Sequence, residues 1–211
     1  MNSIIEALQR RYATKKFDTT KKLSQEDMDT LLEALRLSPS SFGLQPWKFI
    51  QVTNPEIRKE LQANSRGQPQ ITEASDLIII AVKTNIQETD VEEFIQDIID
   101  TRKLGDASAL AEYKGMMIGT IEWRTEEQLK GWAQKQAYIA MGVLLTVCAS
   151  LWIDACPMEG FDAKKYDEIL GLDKLWLTAT LVIPVGYRST EDSSAQFAKV
   201  RFQKEKMIMK I

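Results

Sequence analysis

The chain has 211 residues, 27 Lys and Arg against 30 Asp and Glu, a formal net charge of −3, and no histidine. The mild acidity lacks the basic footprint of a nucleic-acid binder. The missing histidine removes every Ser-His-Asp triad, Cys-His dyad and His-based metal centre, so acid–base work falls on Asp, Glu, Lys, Tyr, water or a cofactor with its own chemistry.

Residues 3–11 read as a first helix with Ile4, Leu8 and Ile5 turned inward. Residues 23–38 are the clearest helix: Ser24 can cap its start, Met28, Leu31, Leu32 and Leu35 form its apolar stripe, and Pro39 ends it. The run WKFIQVT (47–53) reads as a strand. A helix follows with Asn54 as its cap and Pro55 at its first position. DLIIIAVK (76–83) is an unbroken apolar strand, which implies burial on both faces. Helix and strand in this order argue for an α/β or α+β layered fold.

Residues 91–104 read as a helix with Val91, Phe94, Ile95 and Ile98 on one side. The stretch 88–130 has broad polar faces and reads as a helical excursion from one domain spanning 1–211. Residues 132–152 follow, polar at Gln134, Lys135 and Gln136 and almost wholly apolar after Tyr138. At helical rise they make a rod of about 31 Å, the candidate central buried helix. No run of 18 apolar residues occurs, so a membrane span is not expected and a cytoplasmic location is the default. A short helix (163–172) and a strand within 174–189, closed by Pro184 and Gly186, come next. The basic tail 194–211 ends in the strand-like MIMKI, which pairs either with a local edge or with a second subunit. Cys148 and Cys156 sit in or beside apolar sequence and read as core packing rather than a disulfide framework.

Neither GxGxxG nor GxxxxGK[ST] occurs. Arg11, Lys15, Lys199 and Arg201 are basic residues from the two ends of the chain; they read either as solvated charge or as a phosphate site, where Arg offers a donor fork and Lys a point charge. Pro157-Met158-Glu159-Gly160 is either a plain turn or an open turn meeting a planar ring, with Gly160 keeping a Cβ out of the way. Gln136 is either an ordinary helix residue or a polar contact to the same ring. The stretch SPSSFGLQPWKFI (38–50) is either a helix-to-strand connection or a loop of small side chains leaving room for a ligand.

Together RRYATKKFD, LLEALRLSPSSFGLQPWKFI, GQPQITEASDLIII, WAQKQAYIAMG, ACPMEGFD, IPVGYRSTED and the late KVR resemble the oxygen-insensitive nitroreductase family of FMN flavoproteins. The matching segments run in the family's order over nearly the whole chain. The resemblance implies an α+β, three-layer α-β-α fold with a four-stranded antiparallel core sheet and a fifth strand exchanged from the partner subunit. It implies a homodimer with FMN in the interface, NADH or NADPH as electron donor, and a small-molecule acceptor: a nitroaromatic, a quinone or flavin, with a pteridine or enone as the alternative. A flavin-binding homodimer without catalysis is a further alternative. By the same resemblance Arg11 and Lys15 bind FMN phosphate and ring, Lys199 and Arg201 the phosphate, and Ser40, Ser41 and Gly43 the flavin from the partner chain. Gln136 lies near the ribityl and ring. Pro157, Glu159 and Gly160 form the loop over the back face, and Lys15 and Glu159 stand near the ring. Three departures stand out. Ala13 replaces a usual serine. The ring-edge asparagine falls on or near Gly67, with Gln68 or Gln70 to take its place. Phe42-Gly43 replaces a more common polar pair.

Overall fold

The computed structural model describes residues 3–105 and 108–211, so Asp106 and Ala107 of the expected 88–130 excursion lie outside the described residues. In chain order the elements are α1 (Ser3–Arg10), α2 (Gln25–Arg36), β1 (Trp47–Gln51), α3 (Pro55–Ala63), α4 (Gln70–Glu73) and β2 (Asp76–Lys83). Then come α5 (Glu88–Arg102), α6 (Ala111–Glu122), α7 (Glu126–Ser150), β3 (Asp154–Ala155), α8 (Ala163–Leu170), β4 (Leu177–Gly186) and α9 (Lys204–Met207).

The sheet is built on β2. Leu77 through Val82 are wholly buried, and β2 pairs antiparallel with β1 on one side and β4 on the other. The order is β1-β2-β4-β3, all antiparallel. Alternation of side chains along a strand then divides the core. Ile78, Ile80 and Val82 pack in one layer with Leu31 and Leu35 of α2, Val91 and Ile95 of α5, and Ala133, Ala137, Ala140 and Leu144 of α7. Leu77, Ile79 and Ala81 pack in the other with Leu61 of α3 and Tyr166 of α8. The continuous Leu-Ile-Ile-Ile run is the residue pattern that two covered faces require. The result is the expected α+β arrangement with helices on both sides of a four-stranded antiparallel sheet.

Helix α7 starts six residues before the expected Trp132. Thr125 and Gln128 cap it reciprocally: Gln128 N–H donates to Thr125 Oγ1 (3.3 Å) and Thr125 N–H to Gln128 Oε1 (2.9 Å). This cap lies among polar residues, which the search for apolar periodicity passes over. Nor is α7 buried all round. Alanines at 133, 137 and 140 meet the sheet, while Lys135, Tyr138, Ile139 and Gly142 form an exposed outer stripe. The inward reading of α1 is corrected too: Ile4, Ile5 and Leu8 are exposed. Helix α1 packs on α7, and its apolar stripe stays exposed among the described residues. The tail differs as well. Met207 closes the short turn α9, Ile208–Ile211 form no strand, and all are exposed. No helix among the described residues is long and apolar enough to cross a membrane.

One buried cation braces the second layer. Arg58 of α3 donates to the carbonyls of Ile71 (2.8 Å), Ala74 (2.7 Å) and Ser75 (3.1 Å), satisfying the end of α4 just before β2 begins. Removing the guanidinium leaves buried carbonyls without donors. Arg58→Met should therefore cost about 3 kcal/mol, read as a lower urea midpoint at unchanged m-value.

Candidate active site

Residues 11–15 run beside β3. Ala13 forms a parallel bridge with Ala155, and Thr14 N–H donates to Ala155 O (3.3 Å). The chain then keeps to the edge of β4: Cys156 N–H donates to Pro184 O (3.0 Å), and Met158 and Val182 exchange both backbone bonds (2.8 and 3.1 Å). This fixes the turn Pro157–Gly160 next to the 11–15 segment. Arg11 and Lys15 both lie near the Cys156 thiol, whose pKa burial pushes up against their opposing charges. Gln68 reaches the same turn, its Nε2 donating to Gly160 O (3.3 Å) and Ser65 O (3.1 Å). Gly67, at φ +67°, makes the tight turn before it. Gln70 opens α4 and is buried, and its Oε1 has no partner among the described residues. Tyr138 of α7 meets Glu159; burial first, then the bond to that carboxylate, pushes the phenol up to about 12.

The C-terminal segment brings two more cations here. Lys199 Nζ donates to the Arg11 carbonyl. Burial, then the Arg201 charge, lowers the pKa of Arg11; burial, then Arg11 and Arg201, lowers that of Lys199. Neighbouring cations have acids: Arg10 and Arg188 share Asp154, and Lys16 pairs with Glu191. Arg11, Lys199 and Arg201 have no carboxylate partner among the described residues. Three like charges held together without an acid raise one another's energy unless an anion joins them.

The serine loop is built separately. Ser41 N–H donates to Gln136 Oε1 (2.9 Å), Gln136 Nε2 to Trp132 O (2.9 Å), and Gln45 N–H to Ser40 Oγ (2.9 Å). Gln136 thus holds the serine loop within its own chain. Phe42 (φ +57°), Gly43 (φ +74°) and Gln45 (φ +50°) are all left-handed, and the Tyr113 hydroxyl of α6 clamps the Phe42 carbonyl (2.6 Å). The side on which Gly43 would carry a Cβ faces Phe94, whose Cζ would stand 2.9 Å away. The close approach that glycine permits here is to Phe94.

One protomer does not join the basic cluster to the serine loop. Arg10, beside Arg11, donates to Ala149 O in the last turn of α7 (3.2 Å), while Ser41 is tied to Gln136. Thirteen residues of helix separate these anchors, about 20 Å. Arg11, Lys199 and Arg201 gather by the last turns of α7, the Ser40–Gly43 loop sits by Gln136, and the turn 157–160 reaches back along α7 to Tyr138. Sequence reading passed over Tyr113 as a clamp and Asp192 altogether. Asp192 stands in IPVGYRSTED, where an Asp before Ser-Ser reads only as a local turn cap.

The family profile described as the nitroreductase family matches residues 8–187. The chain belongs to the nitroreductase family. As a member it is an oxidoreductase. A candidate NAD(P)H nitroreductase of Staphylococcus saprophyticus is 38% identical over 198 residues, covering 90% of each chain. A candidate nitroreductase of Bacillus subtilis shares the fold at TM-score 0.86 and 20% identity, covering 98% of each chain. Another, from Exiguobacterium sibiricum and solved in complex with FMN, does so at TM-score 0.83 and 20% identity, covering 99% of this chain and 97% of that one. The matched residues stop before Lys199 and Arg201, so that pair rests on its geometry in this nitroreductase-family chain.

The Phe94 contact gives a direct test of the serine loop. Gly43→Ala should cost about 1–2 kcal/mol from the left-handed backbone and the clash together. Gly43→Ala with Phe94→Leu should recover the steric part alone, measured as a double-mutant cycle in chemical denaturation.

Proposed function

We propose that this protein is an NAD(P)H-dependent FMN oxidoreductase that works as a homodimer, with each flavin site made by both chains. The observation that carries this reading is the acid-free cluster of Arg11, Lys199 and Arg201. It fits a dianionic phosphate monoester such as that of FMN, with two guanidinium forks and an ammonium as donors. The neighbouring segments suit a planar ring: a turn with Gly160 in it, and Gln68 with amide capacity to spare. Gln68 is the better ring-edge candidate than Gln70, because Gln68 already sits against Gly160 while the Gln70 oxygen is closed off from solvent.

The 20 Å separation within one protomer supports the dimer. Two copies of α7 packed antiparallel about Gly142, midway between Gln136 and Ala149, would bring the Ser41 loop of each beside the Arg11 cluster of the other. Gly142 lies in the exposed stripe of α7, flanked by exposed Ile139 and Tyr138. Such a pairing also covers Ile4, Ile5 and Leu8 of α1. The exposed tail suits the free edge of β1, beside a cleft of about 440 Å³ lined by Leu44, Trp47, Lys48 and Phe49. There Met207–Ile211 of the partner would supply the fifth strand. The region 88–130 of a single 1–211 domain would cover the pocket.

The chemistry FMN supplies when bound is two-electron exchange, hydride in from NADH or NADPH and out to a nitroaromatic, quinone or flavin acceptor in ping-pong order. The chain's own residues position and neutralise. Arg11, Lys199 and Arg201 hold the phosphate, and Lys15 places a positive charge where negative charge gathers on the reduced ring. The turn 157–160 carries the ring's back face, Ala13 leaves one hydroxyl contact out, and Ser40 and Ser41 offer polar groups across the interface. No histidine is required.

Purified protein should be yellow, release FMN on denaturation, and oxidise NADH or NADPH only when an acceptor is present; absence of flavin binding sinks the reading, and binding without turnover leaves the non-catalytic alternative. Lys199→Ala and Arg201→Ala should each weaken FMN about tenfold in fluorescence titrations while leaving riboflavin nearly unchanged. Gly142→Glu would set two carboxylates face to face across the pairing axis. It should yield monomers in sedimentation and lose FMN with them. A flavin-loaded monomer would refute the shared site.

A further inference from the structure

We infer that Asp192 is the positioning residue of the flavin site, holding Lys15 and the phosphate cations in one geometry; this rests on the FMN reading above. Asp192 touches none of the proposed ligand atoms. The residue is only 4% exposed, and its carboxylate collects the segments that carry the cations. Oδ2 accepts from the Tyr12 hydroxyl (2.8 Å), Lys15 N–H (2.8 Å) and Lys16 N–H (3.2 Å). Oδ1 accepts from Ser194 N–H (3.0 Å), and the Asp192 carbonyl from Ala195 N–H (3.0 Å). One carboxylate therefore joins the loop of Arg11 and Lys15 to the start of the segment leading to Lys199 and Arg201. Lys199 closes the circuit on the Arg11 carbonyl.

Two features separate this from an ordinary loop staple. Burial alone would raise the carboxyl pKa, but the bonds from Lys15 N–H, Tyr12, Lys16 N–H and Ser194 N–H outweigh it and hold it below the usual range. Asp192 is thus an anion fixed by donors and makes no ion pair among the described residues, so it leaves the cations free for a ligand. Arg188 stacks over the Tyr12 ring (4.5 Å) and is bound in turn by Asp154, which keeps Tyr12 aimed at Asp192. The two backbone N–H groups of Lys15 and Lys16 need an acceptor at this place. An amide side chain cannot serve all four donors, since its nitrogen accepts nothing.

The test compares Asp192→Asn and Asp192→Glu with Asp167→Asn. Asp167 is a carboxylate away from the site that accepts from Thr178 Oγ1 and Ala179 N–H (both 2.7 Å). FMN and riboflavin affinities are measured by fluorescence quenching well below each melting point, with the visible circular dichroism of the bound flavin as second readout. Asp192→Asn should weaken FMN by about tenfold or more, narrow the ratio of FMN to riboflavin affinity, and change the flavin dichroism. Asp192→Glu should regain part of the ratio by keeping the charge, and Asp167→Asn should lower the melting temperature with the ratio unmoved. If Asp192→Asn loses stability but keeps the wild-type ratio and dichroism, the inference is overturned. If wild-type protein binds no FMN, the underlying functional reading is what has failed.

Discussion

A long apolar helix can bury only as much of itself as one chain offers surface for. Helix α7 is twenty-five residues long, and the sheet takes the face of Ala133, Ala137, Ala140 and Leu144. The opposite stripe, with Tyr138 and Ile139, is left outside with the apolar residues of α1. Exposed apolar residues on packed neighbouring helices favour association. The same helix spaces the two groups of site residues, because α1 docks on its last turn and the serine loop on its third. On the homodimer reading, the same helix would set where each group meets its complement.

Electrostatics around the 11–15 segment follow a division of labour. Asp154 serves Arg10 and Arg188, Glu191 serves Lys16, and Asp192 serves backbone donors and Tyr12. Every acid nearby is committed, and Arg11, Lys199 and Arg201 are left with one another. A surface pair in water is worth little. Arg11 is partly buried while Lys199 and Arg201 are exposed, so burial disfavours the charge chiefly at Arg11, and its two neighbours add to it. The meeting of three cations from the two chain ends without an acid argues for a ligand more than their sequence spacing did.

Much of the fold was legible beforehand. The Leu-Ile-Ile-Ile run of β2, the Pro39 stop and the Asn54-Pro55 helix start each express a local rule that tertiary packing does not override. The boundaries of α7 and the fate of α1 were less legible, because amphipathicity shows that a stripe is buried and not by whom. The two-residue strand β3 has no pattern of its own; it exists because Ala155 bonds both β4 and the 11–15 segment. Of the site, composition and spacing showed only basic residues at two chain ends. Their meeting depends on Lys199 reaching Arg11 across 188 residues, a contact no local pattern encodes, and the resemblance to a family was what singled them out. Asp192 stayed hidden because a carboxylate that binds backbone N–H groups leaves no trace in its partners' identities.

The serine loop shows how left-handed backbone at a bulky residue is held in place. Left-handed backbone at Phe42 costs about 1 kcal/mol or more for a residue with a bulky side chain. It persists because its surroundings over-determine it: the Tyr113 hydroxyl on the Phe42 carbonyl, the edge contact of the two rings (6.1 Å), and Gln136 on Ser41. Two of these anchors come from different helices, α6 and α7. The loop is therefore set by the relative position of the excursion and the long helix, not by its own sequence alone. A residue at 113 lacking the hydroxyl would free the carbonyl and relax Phe42 toward the ordinary region, carrying Ser40 and Ser41 with it. Variation in the 88–130 region thus reaches the serine loop through one hydrogen bond, and on the flavin reading proposed above it would alter pocket cover and serine contacts together.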